Sequence, residues 1–206
     1  RNYFLYFTKN EKMNTIQLDL NKRYTYAEYL TWADDKRREL IDGFVKLMSP
    51  APARKHQLIS RQLSRFFINY LHKKKCQIFY APFDVRLPDN KEKDGDKIYT
   101  VIQPDISVIS DPEKLDELGC LGAPDMIIEI LSKHNSKHDV KTKYELYERH
   151  KIREYWIVYP YEQTVHVFLL NENGKYYQEG IYAQDEQVKV NIFDDLYVDL
   201  AEVFEE

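Results

Sequence analysis

The chain has 206 residues, of which 43% are hydrophobic and 31% are charged, and its formal net charge is −4. This composition favours one packed globular domain and excludes general disorder. No apolar run reaches the roughly 20 residues that a membrane-spanning helix needs, which excludes a spanning protein. The negative net charge argues against unselective coating of nucleic acid, so any contact with nucleic acid is expected from a local basic patch.

The N-terminal segment and the cysteine pattern both bear on location. We expect residues 1–23 to form an N-terminal arm and residues 24–206 to form a single domain. The N-terminus lacks the apolar core and the small-residue cleavage site of a secretory signal. The two cysteines of the sequence, Cys76 and Cys120, are spaced neither as a disulfide framework nor as a zinc site. These features together predict a cytoplasmic protein.

The N-terminal third predicts a short helix, a strand and a long amphipathic helix. Thr25 and Glu28 have the spacing of a capping box, which predicts a helix from about Tyr26 to Trp32. A turn at Ile41-Asp42-Gly43 leads into the sequence FVKLM, which alternates like a strand. After the helix-breaking sequence SPAPA, the segment HQLISRQLSRFFINYLHKKK has apolar residues at helical spacing. Its three terminal lysines suit a helix C-terminus electrostatically.

Strand patterns dominate the remaining sequence. Strands are predicted in CQIFYAPFDVRL, IYTVIQPDISVIS, DMIIEIL and REYWIVYP, with a helix over HDVKTKYELYERH between the last two. We expect a short acidic helix near Glu113–Leu118 and a loop over residues 119–122. The tail predicts a hairpin of TVHVFLL and KYYQEGIY around Asn173-Gly174, then a last strand in QVKVNIF. The order predicts an α/β fold with a mixed sheet flanked by helices.

Two acidic residues stand where a buried strand would place apolar ones. Glu129 lies inside the apolar run from Met126 to Leu131, and Asp105 follows Pro104 at the start of ISVIS. A buried carboxylate costs several kcal/mol unless it is paired or binds a metal. Carboxylates from two neighbouring strands could hold Mg²⁺, which commonly takes one or two carboxylates together with waters and phosphate oxygens. The alternative is a pair of strand-end acids that face solvent or cap helices.

Three further side chains could belong to the same site. Lys143 lies on the helix after the Glu129 strand, with Tyr147 one turn away on the same face, and could stabilise charge on a phosphoryl group or be a surface lysine. His56 is in line with the apolar face of the long helix and could orient a ligand or be a satisfied buried ring. Glu39 could lie near the same sheet edge or pair with a neighbouring arginine.

The sequences RRELIDGFVKLMSP, QPDISVI, APDMIIEILS and HDVKTKYELYERHKIREYWIVYP, in this order, resemble the Uma-two family. That family of restriction-endonuclease-like proteins, formerly a domain of unknown function, belongs to the PD-(D/E)XK nuclease superfamily. The resemblance runs from about Tyr24 to Tyr182. It implies a restriction-endonuclease-like mixed β-sheet flanked by helices, here with a C-terminal antiparallel hairpin extension.

The resemblance also implies a metal-dependent phosphodiesterase site. Asp105 matches the PD element and Glu129 the acid of the second element, and these would hold Mg²⁺, or Mn²⁺, with the main-chain carbonyl of Ile130. Leu131 stands where a lysine would complete the D/E-X-K motif, and Lys143 matches a lysine relocated to the next helix. The family matches at Glu39, His56 and Tyr147 imply accessory roles near the metal.

A further departure concerns the turn before the EYW strand. The family usually has a glycine there, whereas this chain has His150-Lys151-Ile152. The departure weakens the assignment of that turn and leaves the residues of the site unchanged.

The acidic residues, the lysine and the resemblance together predict an endonuclease acting on DNA, with catalytic Asp105, Glu129 and Lys143. Candidate contacts with DNA phosphates are Arg54, Lys55, Arg61 and Arg65. The residues Lys73–Lys75 are a further candidate set, or are a solvated helix end. We expect a homodimer, and the aromatic residues Tyr176, Tyr177 and Tyr182 of the tail hairpin could form the dimer face or complete the core. The alternative to an enzyme is a catalytically inactive module that uses the nuclease fold for binding or assembly.

Overall fold

A computed structural model describes residues 16–34, 36–48, 53–90, 94–133 and 137–205. The helices are α1 (Tyr26–Tyr29), α2 (Arg54–Leu71), α3 (Lys137–Arg149) and α4 (Leu200–Phe204). The strands are β1 (Arg38–Ile41), β2 (Phe44–Leu47), β3 (Gln77–Tyr80), β4 (Val85–Arg86), β5 (Val101–Ile102), β6 (Ile106–Ile109), β7 (Leu115–Asp116), β8 (Gly119–Leu121), β9 (Met126–Ile130), β10 (Glu154–Tyr159), β11 (Thr164–Leu170), β12 (Tyr176–Ala183), β13 (Gln187–Lys189) and β14 (Tyr197–Asp199). The predicted extent of the N-terminal arm falls mostly on residues 1–15, and the SPAPA break mostly on residues 49–52, both outside the described ranges.

In the described residues, two mixed sheets of six strands each form the centre of the fold. The sheet with the longer strands, called the larger sheet below, has the order β12-β11-β10-β9-β6-β3, in which only β9 and β10 run parallel. The other has the order β2-β1-β5-β4-β8-β7, in which β4 and β8 run parallel. The predicted mixed sheet flanked by helices and the tail hairpin β11–β12 are confirmed, whereas the division into two sheets was not predicted.

The larger sheet is buried on both faces because helices and strands cover each side. One face carries Ile128 and Trp156 and packs against Leu63 of α2 and Phe204 of α4. The other face belongs to the cluster that contains Ile127, Tyr155 and residues of α3. Since β9 and its neighbours are covered on both sides, their sequences read as continuous apolar runs rather than as alternating ones. No helix within the described ranges is both long and apolar enough to cross a membrane.

The first helix and the hairpin after it differ from the prediction in length. The capping box of Thr25 and Glu28 is present, but α1 ends at Tyr29, and the Thr31 hydroxyl donates to the Glu28 carbonyl at 2.6 Å. Such a local hydrogen bond competes with continuation of the helix. The Asp42-Gly43 turn has positive φ at both residues, as a two-residue hairpin requires, and its first strand β1 was missed within the charged sequence KRREL.

The prediction for residues 113–122 was wrong. Instead of an acidic helix, a short 3₁₀ turn at Pro112–Lys114 leads into β7, and the predicted loop is strand β8. The Asp116 carboxylate accepts from the Leu118 amide at 2.8 Å and pairs with Arg86, which favours a turn over a helix. Gly119 has φ +115, and a Cβ there would lie 2.2 Å from the Asp84 carbonyl oxygen, so only glycine allows β8 to approach this closely.

The C-terminal segment and the turn before β10 also differ in detail. The predicted last strand is shorter, because β13 ends at Lys189 and pairs with β14, and neither β14 nor α4 was predicted. Lys151, near the family's usual glycine, has φ 60, a conformation that favours glycine. Its ammonium donates to the Gly174 carbonyl at 2.9 Å, which ties this turn to the tail hairpin. The backbone turn is therefore formed without the glycine.

Glu154 is a buried carboxylate at the start of β10. It is fully shielded from solvent and accepts from the Trp156 indole and the Ile192 amide, each at 2.8 Å. Burial raises the pKa of the Glu154 carboxyl, although both hydrogen bonds act in the opposite direction. The protonated carboxyl is therefore favoured by folding, so the stability that it contributes is present below its unfolded pKa and is lost as pH rises through its folded pKa.

We predict that Glu154→Gln removes this pH dependence. The variant should gain unfolding free energy relative to the wild type as pH rises above about 4.3, at up to about 1.4 kcal/mol per pH unit, because the amide does not ionise. Urea unfolding at a series of pH values from about 4 to 8 measures the difference. A constant difference across that range would contradict the prediction.

Candidate active site

The structure brings the two predicted acids together on neighbouring strands. Glu129 lies in β9, and Asp105 immediately precedes β6, its antiparallel neighbour, in which Ile106 is opposite Ile128. Asp105 therefore occupies the next register position, beside Glu129. The Ile130 amide donates to Asp105 Oδ2 at 2.7 Å, which fixes the Asp105 carboxylate against the end of β9. The Asp105 side chain keeps 20% exposure, so the site opens to solvent on its side.

Lys143 connects Glu129 to the smaller sheet. Its ammonium on α3 donates to Glu129 Oε1 at 2.8 Å and to Glu39 Oε1 at 3.2 Å. Glu39 lies in β1, where it also accepts from the Gln103 amide at 2.9 Å. Lys143 is thus a buried bridge between two carboxylates from different sheets and not a surface lysine. Glu39 does not pair with its neighbours, since Arg37 contacts Gln103 and Arg38 contacts Asp34.

Tyr147 and His56 complete the contacts of the two acids. The Tyr147 hydroxyl, one turn after Lys143, donates to Glu129 Oε1 at 2.5 Å. His56 Nε2, near the start of α2, lies 3.2 Å from Asp105 Oδ2. The other ring nitrogen, His56 Nδ1, is buried without a hydrogen-bond partner in the described part of the chain. The predicted accessory residues Glu39, His56 and Tyr147 therefore all lie in the site.

The charges of the site shift the pKa values of its members. Burial raises the pKa of Glu129 to about 7, with Lys143 opposing this rise and the Asp105 charge adding to it. Burial acts to lower the pKa of Lys143, but the charges of Glu129 and Glu39 outweigh it, so the pKa is raised and the ammonium persists. For His56, burial acts to lower the pKa, but the hydrogen bond to Asp105 together with the charges of Asp105 and Glu129 outweighs it, so the pKa is raised.

Two residues next to the site were missed by the sequence analysis. Gln103, two positions before Asp105, accepts from Arg37 and donates from its side-chain amide to Asp84 Oδ1 at 2.9 Å. Asp84 is largely buried, and burial raises the pKa of its carboxyl. Because the contacts of Gln103 link residues 64 and 19 positions away, no local pattern identified it. The only available signal was the buried-strand sequence around the PD element.

The predicted DNA contacts occupy one face of α2. Arg54 and Arg61 are exposed, and Lys55 is half-buried. Arg65 is exposed and pairs with Glu202 of α4. A groove of about 570 Å³ is lined by Arg61, Arg65 and Tyr80, among others, along α2 and the edge strand β3. These residues form a basic surface on the helix that carries His56.

The donor set of the site suits a hard divalent cation. Among the described residues, no group of three His, Cys, Asp or Glu side chains is arranged to hold a metal ion. Mg²⁺ does not need three, because it commonly binds one or two carboxylates and completes its shell with water and phosphate oxygens. An extended residue directs its amide and its carbonyl to the same neighbouring strand, so the Ile130 carbonyl faces the side on which its amide meets Asp105. The predicted ligands Asp105, Glu129 and Ile130 therefore fit such a cation.

Comparisons with known proteins identify related chains. The family model Uma2, described as "Putative restriction endonuclease", matches residues 26–201. The crystal structure of a "putative nuclease belonging to DUF820" from Anabaena variabilis matches with a TM-score of 0.68 and 23% identity, covering 88% of this chain and 97% of that one. At this identity the likeness shows a shared fold alone. A search of curated proteins finds no match.

We predict strong energetic coupling between Lys143 and Glu129. Lys143→Met should destabilise the fold by about 3–5 kcal/mol, because it leaves a buried carboxylate without its cation. In the Glu129→Gln background the same change should cost less, with a coupling of about 0.5–3 kcal/mol. Urea unfolding of the four proteins at pH 8 measures this cycle.

A matched cycle on the same helix provides the control. Lys141 Nζ and Glu145 Oε1 of α3 lie 3.6 Å apart, but both side chains are exposed. Their coupling energy should therefore be below about 0.5 kcal/mol. Equal coupling in the two cycles would contradict the buried bridge.

Proposed function

The chain belongs to the Uma2 family, and on this basis we propose that it is a metal-dependent endonuclease that hydrolyses DNA phosphodiester bonds. The observation that carries the proposal is the convergence of Asp105, Glu129 and Lys143 at one end of β9. Three charged groups from a sheet edge, a buried strand and a helix would not be brought together at such a desolvation cost by packing alone. Their chemistry is that of phosphodiester hydrolysis assisted by a cation.

Asp105, Glu129 and the Ile130 carbonyl would hold Mg²⁺, or Mn²⁺ in its place. A cation bound there would activate water for attack and neutralise charge on the scissile phosphate. Hydrogen bonds from the Ile130 amide and His56 hold the Asp105 carboxylate in place. The Tyr147 hydroxyl and the Lys143 ammonium do the same for Glu129. These contacts keep both carboxylates oriented before substrate arrives, so little reorganisation is needed during the reaction.

Lys143 would act directly on the reacting phosphate. Its ammonium remains charged because Glu129 and Glu39 outweigh the effect of its burial on the pKa. A charged donor fixed by two carboxylates can hydrogen-bond a phosphoryl oxygen or the attacking water and stabilise the developing negative charge. Glu39 would position the ammonium, and Gln103 would in turn hold Glu39 through its amide.

The proposed substrate is DNA, and Arg54, Lys55, Arg61 and Arg65 are the proposed contacts to its phosphates. Their position on α2, the helix that places His56 beside Asp105, supports this assignment. Phosphate contacts of this kind make the affinity fall steeply as salt is added. A cytoplasmic location is also proposed, because Cys76 and Cys120 are spaced neither as a disulfide framework nor as a zinc site.

A homodimer is also proposed, since enzymes that cut both strands of a duplex often pair. Of the hairpin tyrosines, Tyr176 is buried with its hydroxyl on the Ile152 carbonyl at 2.8 Å, and Tyr182 packs against the core. Tyr177 and Ile181 of the edge strand β12 are exposed by 48% and 54%. They flank the edge of β12 that is unpaired among the described strands, on opposite faces of the sheet, because the register shift between Val167 and Phe168 puts Tyr177 opposite Leu169 and Ile181 opposite His166.

We predict that formation of the homodimer depends on the edge strand β12. Sedimentation equilibrium measures the oligomeric state. Tyr177→Lys with Ile181→Lys should convert a dimer into a monomer, because charges at an apolar contact are costly to desolvate. Glu117→Lys, at an exposed position between β7 and β8 of the other sheet, adds the same +2 change in charge and serves as the control. A monomeric wild type at about 50 μM would contradict the proposed dimer.

We predict that Mg²⁺ supports cleavage of plasmid and linear DNA by the purified protein and that excess EDTA abolishes it. Asp105→Asn should lower the cleavage rate by at least about a thousandfold, because it removes one of two anionic ligands. Lys143→Ala should lower it by about a hundredfold or more, since it removes charge stabilisation from the transition state. Gel analysis of single-turnover reactions measures both rates.

Lys141→Ala is the matched control, because Lys141 is an exposed lysine of the same helix. It should cleave at the wild-type rate. Folded Asp105→Asn and Lys143→Ala variants that cleave as fast as the wild type would contradict the proposed site. A folded wild type that binds Mg²⁺ and DNA without cleaving would instead support an inactive binding module. Parallel reactions with RNA and small phosphodiesters determine the substrate class.

A further inference from the structure

An exposed tyrosine beside the candidate active site carries two ammonium groups against its ring. Tyr161, which follows β10, is 49% exposed. Lys133 Nζ lies 4.5 Å from the centre of its ring and Lys55 Nζ lies 5.6 Å from it. The three residues come from three different elements of the fold. We call them the Tyr161 cluster.

The topology of the sheet places this cluster at the mouth of the site. Strands β9 and β10 are parallel, with Val158 opposite Ile130, so Lys133 and Tyr161 each come three residues after this pair, beyond the same end of the sheet. Lys133 is three residues beyond Ile130, whose amide holds Asp105, which is at most about 10 Å of extended chain. On the other side, Lys55 directly precedes His56, which contacts the same carboxylate.

The ring explains how two like charges are held at one place. Two ammonium groups repel each other, but the negative face of an aromatic ring attracts each of them by about 0.5–1 kcal/mol at an exposed site. The cluster thereby concentrates positive charge next to the acidic residues Asp105 and Glu129. A phosphodiester chain that enters this acidic site is repelled by the carboxylates unless fixed cations nearby offset the repulsion.

We propose that Lys55, Lys133 and Tyr161 form a binding site for a backbone phosphate of the DNA strand that enters the active site. This inference rests on the proposed function and names how the substrate is held. The two ammonium groups contact phosphate oxygens, and the Tyr161 ring keeps them oriented. Because the contact is with the backbone, it is independent of base sequence.

Single-turnover cleavage as a function of enzyme concentration tests the proposal, with the dependence on KCl concentration as a second readout. Lys55→Ala with Lys133→Ala should raise the half-saturating enzyme concentration about tenfold at about 0.1 M KCl. The slope of log affinity against log salt should fall by about 2 in magnitude, one for each lost phosphate contact. The maximal cleavage rate should change less than about threefold, since the two lysines do not touch the reacting atoms.

The ring has a separate test. Tyr161→Leu should give an intermediate loss of affinity, because the lysines remain but lose their common support. Tyr161→Phe keeps the ring and should bind like the wild type. Circular dichroism and thermal unfolding verify that each variant is folded.

A matched control exists at the other end of α2. Lys74 Nζ lies 3.1 Å from the centre of the Tyr70 ring, and Lys75 next to it is exposed. Lys74→Ala with Lys75→Ala removes the same charge about 27 Å away along a helix of 18 residues. This control should leave both the affinity and the salt slope at wild-type values.

The outcomes distinguish a failure of the proposed phosphate site from a failure of the proposed function. If the wild type cleaves DNA but the Lys55 and Lys133 variant matches the control, the Tyr161 cluster is not a phosphate site, while the proposed function stands. If the wild type neither binds nor cleaves DNA, both proposals fail. A reduced salt slope in the variant but not in the control supports the site.

Discussion

The ion pair between Lys143 and Glu129 is the interaction on which the arrangement of this protein depends. Glu129 lies in the central strand β9, where packing on both faces would otherwise require an apolar residue. The Lys143 ammonium offsets its charge and also contacts Glu39 of the other sheet. Helix α3 and both sheets are therefore connected through one charged group. A buried pair of this kind adds little net stability but imposes a specific geometry, because either partner alone is costly.

The same set of contacts holds the carboxylates of the site in defined orientations. Every carboxylate with a proposed role accepts at least one hydrogen bond from a neighbouring element: Asp105 from Ile130, Glu129 from Tyr147 and Glu39 from Gln103. Ile130 belongs to β9 and Tyr147 to α3, and Gln103 lies in the short connection between β5 and β6. Groups preorganised in this way stabilise charge without reorganising during a reaction. The positive charges around the site, at the Tyr161 cluster and on α2, complement the acidic residues at its centre.

Sequence patterns located the charged residues that converge at the end of β9 better than they located the small strands. Asp105 and Glu129 were identified because an acid within an apolar strand is rare and costly, a signal that is local. Lys143 and Tyr147 followed from helical spacing. Strand β1 and the pair β7–β8 were missed because their residues are charged or contain glycine, although each of these strands pairs with one next to it in the chain. Short strands of two to four residues have too little periodicity to be read locally.

The sequence by itself determined the class of the fold, the long helix, the central strands and the identity of the charged groups. These follow from hydrophobic periodicity and from the energetic cost of burying charge, both of which are written in neighbouring residues. Only the tertiary structure decided that the central strands of the described residues divide between two sheets, that Glu39 shares Lys143 with Glu129, and that Lys55 and Lys133 meet at Tyr161. Each of these contacts joins segments far apart in the chain, where pairing depends on strand order and packing that no local pattern encodes.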